Sequence, residues 1–250
     1  MTAVVTISRG QFDALIFDLD GVVTQTAAVH AAAWKRLFDD YLRRRAQREG
    51  RPFEPFTLED YRLYVDGKPR FDGVVSFLES RGISLPQGAP DDGEGKETVY
   101  GLGNQKNRYF LDQLESQGAE AFPSTIDLIK DARSKGLKTA IFSASRNCVP
   151  ILKSVGALDL FDARVDGVVA AELKLPGKPD PATLLEAARR LGVSPQRAVI
   201  FEDAIAGVQA GRAGGFGLVV GVNRSHEENV LASNGADVEV SDLSEVTIAP

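Results

Sequence analysis

The chain lacks several features that would assign a protein to a class at once. Its 250 residues include one cysteine, Cys148, and carry a formal net charge of -6. A single cysteine excludes an internal disulfide framework and a cysteine-based metal cluster. The acidic balance offers no basic surface for nucleic acid, and no apolar stretch is long enough to span a membrane. No basic and then apolar leader is visible, so we expect a cytoplasmic protein that binds neither nucleic acid nor membrane.

What the chain does contain is a rhythm of apolar, strand-like runs with helical patterns between them. The composition is that of a globular protein, with 43% hydrophobic and 26% charged residues. This rhythm predicts an α/β fold, in which helices cover a parallel sheet. The runs are Leu15 to Phe17, Thr139 to Phe142, Ala198 to Phe201 and Leu218 to Val222.

A long segment separates the first two of these runs. It exceeds a hundred residues, far more than one crossover helix needs, so an inserted domain is expected. Near its start, residues 30–45 place apolar side chains at the spacing of one helix face, which predicts a helix and a helical insert. Those side chains are Trp34, Leu37, Phe38, Tyr41 and Leu42. Residues 86–95 are rich in turn formers and acid, which indicates an exposed loop within the insert.

Two carboxylates, Asp18 and Asp20, follow the first apolar run, and a turn is predicted at Gly21. Residues two apart on an extended strand point the same way, so both side chains could share one pocket. A buried pair of like charges requires a cation or a proton between them, and Mg²⁺ suits oxygen ligands. Taken alone, such a pair is more often an acidic strand end that faces solvent.

Three further strand ends carry polar chemistry, and ligands of open α/β sheets bind outside the carboxyl ends of the strands. Ser143 begins a segment of hydroxyls, an amide and a cation, Lys178 precedes a helix that Pro181 could open, and the third strand ends in Glu202 and Asp203. Each signal alone has a structural explanation, as a helix cap or a surface charge. The apolar face predicted for the helix after Pro181 comprises Leu184, Leu185, Ala188 and Leu191.

Together these signals resemble the four motifs of the haloacid dehalogenase superfamily, and the resemblance runs over essentially the whole chain. It implies a doubly wound, Rossmann-like parallel-sheet core with an α-helical cap domain inserted after the first strand. The core is expected at residues 1–27 and 112–250, and the cap at 28–111. The matching residues are Asp18 and Asp20, Ser143, Lys178, and Glu202 with Asp203.

The resemblance also implies a role for each motif residue. Asp18 would be the nucleophile that forms an aspartyl phosphate, and Asp20 the general acid and base. Ser143 and Lys178 would hold the phosphoryl oxygens. Mg²⁺ would be held by Asp18, the backbone carbonyl of Asp20, Asp203, and Glu202 directly or through water. An aspartate at position 20 speaks against haloalkanoate dehalogenation, because dehalogenating members lack this carboxylate and the magnesium site.

Within the superfamily, the segment from Phe17 to Trp34 resembles the opening of the β-phosphoglucomutase family and its phosphatase relatives. The family pattern implies that Thr26 and His30 couple cap closure to the general acid and base, and that Arg70 binds the substrate's second phosphate with its planar fork. The substrate-binding residues implied are Thr26, His30, Trp34, Arg70, Lys106 and Asn107 in the cap, and Ala144, Ser145, Arg146 and Asn147 in the core.

The chain departs from the family pattern at Gln25, where an aspartate is usual, and at Arg146, where a lysine is usual; its cap is also longer, through residues 82–100. The function expected is interconversion of β-D-glucose 1-phosphate and glucose 6-phosphate through a bound bisphosphate, by a monomer whose partner is a small phosphorylated sugar. One alternative is a magnesium-dependent sugar-phosphate phosphatase. Another is a non-catalytic phosphosugar-binding protein, which the complete motif set disfavours.

Overall fold

The computed structural model describes residues 5–93, 95–224 and 229–249, so Glu94 of the predicted loop lies outside the described residues. The chain divides into two compact units. Unit 1 comprises residues 1–25 and 119–250, and unit 2 comprises residues 26–118. The two units are described separately below.

Unit 1 is built on a parallel sheet of six strands in the order β4-β3-β2-β5-β6-β7, and β1 pairs with β8 in a separate parallel ladder. The predicted α/β fold is confirmed, and the four predicted strands are the four central ones. The strands are β1 (Val5–Ser8), β2 (Ala14–Asp18), β3 (Lys138–Phe142), β4 (Ala163–Val165), β5 (Ala198–Glu202), β6 (Leu218–Val222), β7 (Val238–Val240) and β8 (Val246–Ala249).

The centre of the sheet is apolar on both faces. Every residue of β2 and β5 is buried, as expected for parallel strands that helices cover on both sides. Phe17 pairs with Ile141 of β3 on one side and with Phe201 of β5 on the other. The rings of Phe17 and Phe201 stack with their centroids 4.6 Å apart. This packing fixes the register of the two strands whose ends carry the acidic residues.

Helices follow the strands in the alternating order that the sequence predicted. They are α1 (Ala27–Glu49), α2 (Leu58–Asp60) with a π-helical turn (Tyr61–Val65), α3 (Arg70–Ser80), α4 (Val99–Gln117), α5 (Pro123–Ser134), α6 (Cys148–Ser154), α7 (Gly167–Glu172), α8 (Ala182–Leu191) and α9 (Ile205–Ala213). Short 3₁₀ turns lie at Leu158–Leu160, Pro195–Arg197, Ala232–Asn234 and Leu243–Glu245.

The helix predicted after Pro181 is α8, and one residue of its predicted apolar face was wrong. Leu184, Ala188 and Leu191 are buried, whereas Leu185 is 38% exposed. Successive residues on a helix are about 100° apart, so Leu184 and Leu185 do not share one narrow buried face. Ala187 is buried instead.

Unit 2 is helical, as predicted, and its core is aromatic. The five side chains predicted to form one face of the first helix are all buried in α1, which extends beyond residues 30–45 at both ends. Trp34 stacks on Phe38 at a centroid distance of 5.2 Å, and Phe38 contacts Phe77 of α3 at 4.2 Å. α4 packs against both α1 and α3 and continues past residue 111 to Gln117.

The described part of the loop at residues 86–95 is exposed, as predicted, apart from Asp92. Asp92 Oδ2 accepts hydrogen bonds from the Thr98 hydroxyl at 2.8 Å and from Ala89 N at 3.1 Å. Thr98 in turn caps α4 by accepting a hydrogen bond from Gly101 N at 2.9 Å. Among all residues that the structure describes, no helix is long and apolar enough to cross a membrane.

Candidate active site

The carboxyl ends of three neighbouring strands bring together side chains from separate parts of the sequence. In the order β3, β2, β5, Ser143 follows β3, Asp18 ends β2 and Glu202 ends β5. The carboxyl ends of parallel strands meet at one edge of a sheet. Asp18 therefore lies between the other two, and all three residues are buried.

Lys178 joins two of these buried carboxylates. Its Nζ donates to Asp18 Oδ1 at 2.6 Å and to Glu202 Oε1 at 3.1 Å, and it lies 4.2 Å from the centroid of the Phe142 ring. Burial lowers the pKa of Lys178, but the charges of Asp18 and Glu202 outweigh burial and raise that pKa overall. Burial raises the pKa of Asp18 to about 6, against the opposing effect of Lys178.

The turn after β2 is folded tightly around Asp18. Asp20 N donates to Asp18 Oδ2 at 2.9 Å. Gly21 has a φ of +85°, and a Cβ built on it would lie 1.7 Å from Asp203 Oδ2. Position 21 therefore requires glycine twice over, because its backbone is left-handed and the Asp203 carboxylate fills the space of a side chain.

Asp18, Glu202 and Asp203 form an acidic cluster that fits a divalent cation. One carboxylate oxygen from each lies within 4.8 Å of the others. Asp20 adds a fourth negative charge, which raises the pKa of Asp18 further. Lys178 contributes one positive charge to this group, so a hard cation with oxygen ligands would offset the remaining excess.

The loop Ser143–Asn147 is held by its own serine hydroxyls. Ser143 Oγ accepts a hydrogen bond from Ser145 N at 3.0 Å, and Ser145 Oγ accepts one from Asn147 N at 3.1 Å. Such hydroxyl-closed turns fix a loop without regular secondary structure. Ala144, Ser145 and Asn147 are partly buried, while Arg146 is exposed.

In unit 2, His30, Trp34 and Lys106 form one contact group. Lys106 Nζ lies 2.6 Å from His30 Nδ1 and 5.0 Å from the centroid of the Trp34 ring. The His30 ring stacks on Phe110 at 4.1 Å. Lys106 is buried, so its ammonium is held among aromatic rings and an imidazole. Thr26 precedes α1, is buried, and its carbonyl oxygen accepts a hydrogen bond from His30 N at 3.0 Å.

A second pair of predicted residues meets elsewhere on α4. Arg70 Nη2 donates to Asn107 Oδ1 at 2.8 Å. A Cβ on Gly103 would lie 2.6 Å from the Phe71 ring and 3.5 Å from Arg70 Cδ, so the glycine opens a notch that seats the start of α3. Asn107 lies one helical turn farther along α4, where it orients the Arg70 guanidinium.

Some features of the unit 1 site were not foreseen from the sequence. Both Glu202 oxygens accept hydrogen bonds from Lys178 Nζ, at 3.1 and 3.3 Å, so Glu202 binds the lysine and is also a member of the acidic cluster. Gly207 makes room for it, since a Cβ there would lie 1.9 Å from Glu202 Oε1. Arg224 Nε donates to Gly21 O at 3.3 Å. No local sequence pattern could have predicted the contact between Gly21 and Arg224, because these residues lie far apart in the chain.

Comparison with known proteins identifies the family of the chain that carries this site. The sequence matches the haloacid dehalogenase-like hydrolase family over residues 12–215. The chain belongs to this family. The predicted superfamily is thereby confirmed, and the protein is an enzyme of phosphoryl transfer whose family and acidic cluster imply a divalent metal.

The relatives include both a mutase and a phosphatase. A protein of Mycobacterium tuberculosis named β-phosphoglucomutase is 48% identical over 237 residues, which cover 93% of this chain and 90% of that protein. A phosphorylated carbohydrates phosphatase of Thermotoga maritima is 28% identical, covering 90% of this chain and 92% of that protein. The crystal structure of a β-phosphoglucomutase from Clostridium difficile superposes with a TM-score of 0.70 at 26% identity, covering 94% of this chain and 92% of that one.

Proposed function

We propose that this haloacid dehalogenase-like enzyme is a magnesium-dependent phosphomutase that interconverts β-D-glucose 1-phosphate and glucose 6-phosphate through a bound 1,6-bisphosphate. The observation that carries the chemistry is the buried Asp18 carboxylate, which Lys178 and the backbone N–H of Asp20 orient at the sheet edge. The 48% identical relative named β-phosphoglucomutase supports the choice of substrate.

In one half-reaction of the proposed mechanism, an Asp18 carboxylate oxygen attacks the 1-phosphorus of the bound 1,6-bisphosphate, which forms an aspartyl phosphate and leaves glucose 6-phosphate. The bond between phosphorus and the sugar oxygen breaks, and the Asp20 carboxyl gives its proton to that oxygen. In the other half-reaction Asp20 takes the proton from the 6-hydroxyl of an incoming β-D-glucose 1-phosphate, and that oxygen attacks the phosphorus on Asp18. The acyl-phosphate bond breaks, which restores the Asp18 carboxylate and leaves the 1,6-bisphosphate bound. Before it attacks, Asp18 is favoured in its ionised, nucleophilic form by the ammonium of Lys178.

Asp18, Asp203 and the backbone carbonyl of Asp20 would hold Mg²⁺, with Glu202 contributing directly or through water. The metal would neutralise charge between the nucleophile and the phosphoryl group. Ser143 and Lys178 would hold the phosphoryl oxygens, and Ala144, Ser145, Arg146 and Asn147 the distal phosphate of the bisphosphate.

The cap residues are proposed to bind the sugar and its second phosphate. Arg70 suits a phosphate because Asn107 already orients its guanidinium. Lys106 and His30 form a contact pair beside Trp34, and an anionic ligand would stabilise the charge of this pair. Thr26, at the start of α1, is proposed to act with His30 in coupling cap closure to the general acid and base.

The second candidate function is a sugar-phosphate phosphatase, which the Thermotoga maritima relative favours. It would use the same Asp18 chemistry, with water rather than a sugar hydroxyl attacking the aspartyl phosphate. A phosphatase needs the phosphoryl site of unit 1 but no grip on a second phosphate.

Product analysis separates the two functions. Purified protein is given Mg²⁺, β-D-glucose 1-phosphate and a trace of the 1,6-bisphosphate, and glucose 6-phosphate and free phosphate are followed together. Rapid formation of glucose 6-phosphate with little free phosphate is expected, and Asp18→Asn should abolish it. Release of phosphate without glucose 6-phosphate would replace the mutase assignment with the phosphatase.

A further inference from the structure

Gly167, the first residue of α7, packs so closely against the loop Ser143–Asn147 that no side chain would fit at position 167. A Cβ built on Gly167 would lie 2.5 Å from the backbone oxygen of Ala144 and 3.1 Å from Arg146 Cγ. Gly167 N donates to Ser145 O at 3.0 Å. The start of α7 therefore touches three consecutive residues of the loop.

Position 167 requires glycine because it lacks space for a side chain, and not because of its backbone conformation. Gly167 is not among the glycines with positive φ, so an L side chain would fit its backbone. The obstacle is the Ala144 carbonyl, which belongs to the backbone and cannot rotate away as a flexible side chain could. A substitution must therefore move the loop or the start of α7.

The other side of Gly167 is fixed. Asp166, which is buried, accepts hydrogen bonds at Oδ1 from Val168 N and Val169 N, both at 3.0 Å, and so caps α7. Its Oδ2 pairs with Arg164 at 3.0 Å. Because α7 is anchored to β4 in this way, the loop is the part that would yield to a larger residue.

We propose that Gly167 is a positioning residue for the loop Ser143–Asn147, and that its contact with Arg146 sets the enzyme's preference for substrates with a second phosphate. Arg146 Cγ lies 3.1 Å from the position that a Cβ of residue 167 would take, and Arg146 is otherwise exposed, so the Gly167 backbone is the support for the base of this side chain. Ser143 lies at the opposite end of the loop, next to β3. A shift centred on Ala144 to Arg146 should therefore affect the distal phosphate more than the transferring one.

The test is Gly167→Ala, with Gly10→Ala as the matched control. Gly10 also has an ordinary φ, and a Cβ there would lie 3.5 Å from Ser8 Oγ, a normal contact. With Mg²⁺ present, Gly167→Ala is expected to raise the KM for the bisphosphate about 10-fold, since small misplacements of binding groups have effects of this order. The kcat should change by less than about threefold, and the control should match the wild type. An unchanged KM, or a fall in kcat alone, overturns the proposal.

A double-mutant cycle with Arg146→Ala shows whether Gly167 acts through the arginine. If it does, the double variant should raise the KM no further than Arg146→Ala alone, within about twofold, because both changes remove one interaction. Multiplicative effects of the two substitutions would assign Gly167 a role elsewhere. Should Gly167→Ala fail to fold, Asp166→Ala replaces it, since losing the cap frees the start of α7. A rise in the same KM supports the proposal, and an unchanged KM contradicts it.

This inference rests on the proposed phosphomutase function, and a binding measurement keeps the two apart. In an Asp18→Asn background, which cannot transfer phosphate, glucose 1,6-bisphosphate and inorganic phosphate are titrated by calorimetry. Gly167→Ala should weaken the bisphosphate about 10-fold and leave inorganic phosphate within about twofold. Equal weakening of both ligands, or of neither, overturns the positioning role. Absence of glucose 6-phosphate formation by the wild type instead overturns the mutase assignment alone.

Discussion

At Asp18, burial and the charge of Lys178 act on the pKa of the same carboxylate in opposite directions. Burial and the neighbouring Asp20 favour the neutral acid, while Lys178 and the Asp20 N–H favour the ion. The balance raises the pKa of Asp18 to about 6 in the metal-free protein. A nucleophile held this way is ready to ionise fully when a cation joins the acidic cluster.

This raised pKa predicts how metal-free stability depends on pH. Between pH 4 and 6 the folded state binds more protons at Asp18 than the unfolded state, so the contribution of Asp18 to stability is present below pH 4 and is lost as pH rises through about 6. Asp18→Asn mimics the neutral acid and removes this loss. The free energy of unfolding of Asp18→Asn minus that of the wild type should therefore increase by about 3 kcal/mol between pH 4 and 6.

Urea unfolding at several pH values, in the presence of a chelator, measures this difference. Asp159→Asn, at an exposed site, controls for the removal of a carboxylate as such. A stability difference between Asp18→Asn and wild type that is independent of pH would contradict the prediction. Added Mg²⁺ should reverse the effect in wild type, because a bound cation favours the ionised form.

A substitution at Gly21 tests the role of Asp203 in the acidic cluster, because Gly21 lies against the Asp203 carboxylate. Gly21→Ala must displace the Asp203 carboxylate, and it also strains a backbone with φ of +85°. Gly50→Ala has the same kind of strain, at φ of +62°, but meets nothing within 4 Å. Both variants should lose about 1 kcal/mol of stability from strain. Gly21→Ala alone should weaken Mg²⁺ binding, by 10-fold or more, as loss of an orienting contact does at metal sites.

Calorimetric titration of Mg²⁺ into each variant provides the measurement. Similar affinities in Gly21→Ala and Gly50→Ala would show that Asp203 has little part in holding the metal. That result would leave the strain prediction intact, because the unfolding experiment reports it separately.

At the scale of elements, α8 shows how a helix divides its residues between core and solvent. Leu184 is buried among Ile16, Ala140 and the other apolar residues of the unit 1 core, whereas its neighbour Leu185 is 38% exposed. Leu184→Ala should lower the free energy of unfolding by about 2–5 kcal/mol through lost burial and a cavity. Leu185→Ala, on the same helix, should change it by less than about 1 kcal/mol.

Chemical denaturation of the two variants in parallel checks this contrast. Because both substitutions remove the same atoms from adjacent positions, helix propensity cancels in the comparison. Equal losses would mean that α8 packs in a different rotation from the one observed.

For the whole molecule, sequence reasoning reached features that are encoded locally. Apolar runs located β2, β3, β5 and β6, and the polar residues after them located the ends that meet at the site. The strand order and the two-stranded ladder of β1 and β8 depend on pairing between distant segments, which no local pattern records.

The same limit applies within the site. Asp18 and Asp20 stand out as neighbours in sequence, but the contact of Asp203 with Gly21 and that of Gly167 with Ala144 exist only after folding. Glycines at such positions look like ordinary turn or packing residues in the sequence. Their necessity becomes visible when the atoms facing them are known.

One residue of unit 2 also gives the molecule an optical property. Trp34 is the chain's one tryptophan, it is buried, and the ammonium of Lys106 lies 5.0 Å from the centroid of its ring. Indole emission shifts with nearby charge, so neutralising Lys106 with a bound phosphate should change the fluorescence, and Lys106→Met should abolish the change. The enzyme thus contains an intrinsic fluorophore that reports events in unit 2, while the phosphorylation of Asp18 in unit 1 can be followed separately by chemical quench.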